Sequence, residues 1–253
     1  MPSVVLSGEA FEVGEGYDNF WRKATAGRWE PATFEAIRRV VDADTVVFDI
    51  GAWIGPTVLF EARRARRVVA FEPDPASAGM LRTNLALNPA EAAKVMLHEC
   101  AVWTEAGERT MGNPHAPGDS TSSLLTAGAE HAWTVNCMAA SALADMVAPD
   151  EKLFIKMDVE GAEYEVLPAL APLLSRPRVA VLVAFHPHIV APERPRFAET
   201  RRLTREVFAA FAGFAVERVS RRHIRPSIGA RVADTAGIWL FEAKDNFLFR
   251  KGV

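Results

Sequence analysis

Apolar positions fall along this chain in short β-branched runs separated by stretches with helical spacing. Residues 32–41 place Phe34, Ile37, Val40 and Val41 on one face of a predicted helix, and Asp42 to Asp44 end it. Thr45 to Ile50 is a compact apolar run closed by Asp49 and Gly51, the pattern of a strand buried on both faces. A helix opened by Pro56 follows over 56–65, then a second buried strand over 67–72. Pro75 opens a helix over 75–87, and Lys94 to Val102 reads as a third strand. Residues 103–136 are rich in Gly, Ser, Thr and Pro and predict irregular chain with a hairpin; 141–147 predict a short helix. A fourth strand runs from Lys152 to Asp158, a helix spans 162–174, and a fifth strand runs from Arg178 to His186. An amphipathic helix over 199–212 and two closing strands, 214–219 and 238–243, complete the pattern. Residues 1–30 are turn-rich, with aromatics at Phe11, Tyr17, Phe20, Trp21 and Trp29.

Strands that alternate with helices imply an α/β, Rossmann-like fold: a seven-stranded, mostly parallel sheet with helices on both faces. In such sheets ligands bind beyond the carboxyl ends of the strands. The strand tips are therefore where chemistry belongs.

Composition narrows the classes. With 49% hydrophobic and 24% charged residues the chain can bury a full core, and its 253 residues suit one large domain. A net charge of -3 gives no electrostatic case for nucleic acid. The arginine-rich runs at 63–67, 201–205 and 218–225 alternate with apolar residues and read as solvated faces. Cys100 and Cys137 have no metal-ligand spacing and cannot make a disulfide framework, so a cytoplasmic location is expected. Met1 to Val13 lacks the basic and apolar regions of a signal peptide, and no run approaches the roughly 20 apolar residues of a membrane span.

The first strand ends in Asp49-Ile-Gly51-Ala-Trp53-Ile-Gly55. Gly51 permits a tight turn with no Cβ facing a ligand, and Gly55 lets the helix pack close. A dinucleotide loop would space its glycines as G-x-G-x-x-G. The wider spacing here, with an acid in front, suits a ligand carrying a cationic amino-acid end; a structural turn is the alternative. Glu72, at the second tip before Pro73, is placed to accept from ribose hydroxyls. Small residues around Ala101 at the third tip could let an adenine ring lie flat.

The fourth tip reads Lys156-Met-Asp158-Val-Glu160-Gly161-Ala-Glu163. Asp158 follows a buried run and could act as general base, as a divalent-metal ligand with Glu160 or Glu163, or as a helix cap; Glu160 could also cap. Lys156 alternates along its strand and could pair with an acid inside the sheet layer. His186 at the fifth tip is a second candidate base or a structural histidine. The Asp119–Leu124 loop could be a lid or a linker, and Trp29 could close over a cofactor or belong to the core.

The segments FDIGAWIG, VVAFEPDP, ECAV, the serine-rich 120–123 loop and IKMDVEGAE together resemble the FkbM-type methyltransferases over residues 45–186. The last string is the most specific. The resemblance implies a class I fold using S-adenosylmethionine. The expected division of the chain is an N-terminal helical or lid segment, 1–44, and a methyltransferase domain, 45–253. The resemblance further implies methylation of a hydroxyl on a sugar or other secondary metabolite. It puts Asp49, Gly51, Gly55 and Glu72 at the cofactor and Asp158 at the strand-four position near the methyl group. Beside the resemblance, the residues themselves offer Trp53, Pro73, Ala101 and Asp158 as further cofactor contacts and Asp158, Glu160 and His186 for the chemistry, with no metal assigned. The fifth strand departs from the pattern: Ala184-Phe185-His186 stands where a carboxylate is expected before the histidine, which leaves the base and any metal ligand unassigned.

The expected partners are a small-molecule acceptor and, through the aromatic N-terminal segment, a second copy of the chain; neither nucleic acid nor membrane is expected. N-methylation of an amino-acid or peptide-like acceptor, an NAD-dependent oxidoreductase and a non-catalytic scaffold stand as rival readings.

Overall fold

A computed structural model describes residues 2–190, 196–219 and 245–253. The chain opens with a hairpin of β1 (Ser3–Leu6) and β2 (Glu9–Glu12), then α1 (Asp18–Thr25) and α2 (Pro31–Val40). It continues through β3 (Thr45–Ile50), α3 (Pro56–Arg64), β4 (Arg67–Phe71), α4 (Pro75–Ala86), α5 (Pro89–Ala92) and β5 (Val95–His98). A second small unit comprises β6 (Ala101–Trp103), β7 (Gly107–Asn113) and β8 (His131–Ala139). Then come β9 (Lys152–Met157), α6 (Glu163–Ala169), α7 (Ala171–Leu174), β10 (Val179–Phe185), α8 (Pro187–Val190), α9 (Arg196–Ala210), β11 (Ala215–Arg218) and β12 (Asp245–Lys251).

Seven strands form the main sheet in the order β11-β12-β10-β9-β3-β4-β5. The pairs from β10 to β5 are parallel; β12 is antiparallel to both β10 and β11. The expected α/β, seven-stranded class I architecture is therefore present.

Residue alternation assigns each sheet face to a separate layer. Val46, Phe48 and Ile50 of β3 pack with Val166 and Leu167 of α6, Val207 of α9 and the small β6-β8-β7 sheet. Val47, with Phe154 of β9 and Ala180 of β10, packs beneath Ile37 of α2 and Val58 and Leu59 of α3. Val4, Leu6, Phe11 and Trp21 belong to that second cluster, so the N-terminal segment shares the sheet's core. It is part hairpin rather than helical throughout. No helix among the described residues is long and apolar enough to cross a membrane.

Two element predictions change, and a third falls outside the described residues. The predicted strand over 94–102 breaks after His98, the last residue paired with β4. Beyond the Glu72 N–H bond to the His98 carbonyl, 3.1 Å, Pro73 has no N–H to continue the ladder. Ala101–Trp103 pairs instead with β8. The helix predicted over 162–174 is split into α6 and α7, with Pro168 and Pro172 interrupting the backbone donors. The strand predicted over 238–243 lies outside the described residues; the strand that closes the sheet is β12, further along.

Candidate functional site

The carboxyl ends of β3, β4 and β9 and the break between β5 and β6 open onto one cleft. About 930 Å³ of space lies in and over this cleft, open solvent included. Of the residues the sequence singled out, Gly51, Trp53, Glu72, Pro73, Ala101, Asp158 and Glu160 line it. Trp29, Asp119, Ser120, Ser122 and Leu124 do so as well.

Gly51 has φ +85°, and a Cβ there would stand 2.0 Å from the Asp158 carbonyl oxygen. Both the left-handed backbone and the neighbouring strand thus demand glycine. Gly55 serves packing: a Cβ would meet Leu81 of α4 at 2.2 Å. Neither it nor Asp49 lines the cleft.

Asp49 instead lies wholly buried under the loop, and the register explains why. It is the direct neighbour of Lys156 across the β3–β9 pair, so the two side chains share a face. Lys156 Nζ donates to Asp49 Oδ1 at 2.9 Å and to the Gly51 carbonyl at 2.7 Å; Thr57 Oγ1 donates to Asp49 Oδ2 at 2.6 Å. This realises the pairing expected of Lys156 and directs Asp49 to the loop's support rather than to a ligand. Burial works to lower the Lys156 pKa, but Asp49 and Asp158 hold it above the ordinary lysine value. Glu61 of α3, buried beside this pair, is pushed well above the carboxylate range by burial and by Asp49. Thr57 and Glu61 have no motif in the sequence; only the helix turn facing the strand identifies them.

Glu72 is 5% exposed, and its carboxylate accepts from Trp53 N at 2.7 Å and Asp74 N at 2.8 Å. Burial raises its pKa to about 7 against those two donors. The loop from Asn113 to Leu124 straps across the opening. The Gly118 carbonyl accepts from Tyr17 Oη and from Trp53 Nε1, both at 2.9 Å, and Gly118 N donates to Asp74 Oδ2 at 2.7 Å. Ser123 Oγ donates to the Glu160 carbonyl at 2.6 Å. Phe20 packs edge-on against Trp53 and Trp29, with ring centroids 4.6 and 5.0 Å apart. Asp74 therefore caps α4, accepting from Ala76 N and Ser77 N, and also anchors the strap. The Asp-Pro pair at 74–75 was a legible cap signal; its second role was not.

At the β9 tip no side chain caps α6, neither Asp158 nor Glu160; the turn before the helix is braced by Glu163. Its fully buried carboxylate accepts from Val159 N at 3.1 Å and Gly161 N at 3.0 Å. His186, 1% exposed, presents Nδ1 to Glu163 Oε1 at 2.9 Å. Its Nε2 lies 3.3 Å from Glu160 Oε1 and 3.5 Å from Asp158 Oδ1. Glu163, from α6, thus occupies the place beside the histidine where the fifth strand offers no carboxylate. Burial works to lower the His186 pKa, but the three acids outweigh it and push it up to about 10. Asp158 and Glu160 are the two of these acids that line the cleft.

Residues 49–209 match the model of the methyltransferase FkbM domain, and the chain belongs to that family. A methyltransferase FkbM from Methylobacillus flagellatus shares the fold at 14% identity and a TM-score of 0.50, over 92% of this chain and 55% of that one. A Streptococcus mutans chain crystallised with S-adenosylhomocysteine is 10% identical over 87% of this chain and 96% of its own, with a TM-score of 0.48. An uncharacterized protein of Methanocaldococcus jannaschii is 42% identical over 53 residues, 21% of this chain and 20% of its own length. The chain thus spans about half of the Methylobacillus protein and a fifth of the Methanocaldococcus one.

Proposed function

We propose that this FkbM-family chain binds S-adenosylmethionine and methylates a hydroxyl group on a sugar or other secondary-metabolite acceptor. The observation that carries this reading is one cleft with a buried acid, Glu72, on one wall and Asp158 and Glu160 on the other.

The residues fit the cofactor. Glu72 would take the ribose hydroxyls, and Ala101 and Val102 offer a flat apolar wall for the adenine. When bound, S-adenosylmethionine supplies a methyl group already activated on a sulfonium. The chain's own task is then to hold the acceptor oxygen in line and to exclude water. Trp29, Trp53 and the 113–124 strap close the cleft from the solvent side. Asp158 takes the hydroxyl proton as the new C–O bond forms. Its strand backbone is fixed by the bond from Asp158 N to the Ile50 carbonyl, 3.0 Å.

A second reading has one observation behind it. Glu30, Asp119, Asp158 and Glu160 line the cleft, and an acidic lining also suits an ammonium acceptor and N-methylation.

The test is transfer of a labelled methyl group from S-adenosylmethionine to panels of polyols, glycosides and amines. Transfer to oxygen that drops about 10²–10⁴-fold in Asp158→Ala supports the base. Transfer to nitrogen selects the second reading, and a drop of less than about tenfold removes Asp158 from the role.

A further inference from the structure

The β9 and β10 tips bring together donors of a kind that the cofactor reading does not use. Asp158, Glu160 and His186 each offer one ligand atom, and these atoms lie within 4.8 Å of one another. They come from two adjacent strand ends, so the sheet itself fixes their spacing.

Two of the three spacings are near those of adjacent donors on a small octahedral ion. Adjacent donors on a cation with ligand distances of about 2.1 Å stand about 3.0 Å apart. His186 Nε2 lies 3.3 Å from Glu160 Oε1 and 3.5 Å from Asp158 Oδ1, an expansion of a few tenths of an ångström.

The arrangement behind the ring is also that of a ligand. His186 Nδ1 is engaged by Glu163 at 2.9 Å, and Glu163 is itself locked by the Val159 and Gly161 N–H groups. A carboxylate on the far nitrogen fixes the ring so that Nε2 faces the other two acids, as outer partners of metal-bound imidazoles do. Charge points the same way. Three carboxylates meet one imidazole here, all with side chains less than a fifth exposed. Among the described residues, Lys156 lies close by and is held by Asp49 and the Gly51 carbonyl.

We infer that Asp158, Glu160 and His186 form a binding site for a divalent cation of the magnesium–manganese class, on the acceptor side of the cleft. Carboxylate oxygens suit that class, and one imidazole is compatible with it. Asp158 and Glu160 line the cleft, so the remaining coordination positions face the space where an acceptor oxygen would enter. The site stands independently of the cofactor reading, since it can be loaded with no S-adenosylmethionine present.

The experiment titrates the full, chelator-stripped chain with Mn²⁺ alone and follows free Mn²⁺ by electron paramagnetic resonance. Pulsed measurements on the bound ion read nitrogen coupling. The expected result is one bound Mn²⁺ per chain, with nitrogen coupling from one imidazole, displaced by excess Mg²⁺. Asp158→Asn and Glu160→Gln should each weaken binding by about 10-fold or more. The coupling is read on the unsubstituted chain, so the test does not depend on a variant that folds. Absence of binding at millimolar Mn²⁺ overturns the site. So does a bound ion without nitrogen coupling, or one indifferent to both substitutions.

Discussion

The two walls of the cleft use the same residue types to opposite ends. On the β3–β4 wall each acid is satisfied by the chain itself. Asp49 is held by Lys156 and Thr57, Glu72 by two backbone N–H groups, and Asp74 by a helix start and the strap. On the β9–β10 wall three acids converge on one imidazole, and two of them face the cleft. The first arrangement fixes a shape before any ligand arrives. The second concentrates like charge where reacting groups would sit, the pattern expected of a working site.

Substitutions that treat the walls alike should separate them. The largest effect is expected from Asp49→Ala, which leaves the Lys156 ammonium buried without its partner. Unfolding free energy should fall by about 3–5 kcal/mol in denaturant titration. Glu160→Gln on the opposite wall removes one of several crowded negative charges, so the same titration should show stability unchanged or raised. A loss there as large as in Asp49→Ala would erase the distinction.

A smaller effect concerns pH. Burial raises Glu72 to about 7; its backbone donors and Lys156 work to lower it, and Asp74 works to raise it. A ribose hydroxyl donates best to the ionised carboxylate, so protonation weakens binding. S-adenosylhomocysteine affinity should therefore fall as pH drops below 7, by about tenfold between pH 8 and pH 6. Glu72→Gln should flatten that dependence. A profile equally steep in the variant would place the titrating group elsewhere.

The smallest effect belongs to the strap. Tyr17→Phe removes one of two donors to the Gly118 carbonyl, and Trp53 Nε1 keeps that oxygen satisfied. Stability should change by about 1 kcal/mol or less. Faster hydrogen exchange confined to residues 113–124 would mark the strap as the element affected.

What could be read in the sequence follows the same division. Strands buried on both faces, such as Thr45–Ile50 and Val179–Phe185, declare themselves by uninterrupted apolar runs. The Gly51 turn and the Glu72 tip are legible because one short segment carries each. The role of Asp49 was not, because it depends on the β3–β9 register, which joins positions far apart in the chain. The same holds for Glu163. Its neighbours suggested one acid among three, and only the placement of α6 against β10 reveals that it holds His186. The N-terminal hairpin was missed because its two four-residue strands are too short for a period to register.

The central claim, that this cleft is a cofactor site anchored by Glu72, is most directly tested by calorimetric titration of the chain with S-adenosylhomocysteine, alongside Glu72→Ala. The account predicts one site per chain with micromolar affinity, lost or weakened at least about tenfold in the variant, which is about 1.4 kcal/mol of binding free energy. Equal binding to both proteins, or no binding to a folded unsubstituted chain, would contradict it.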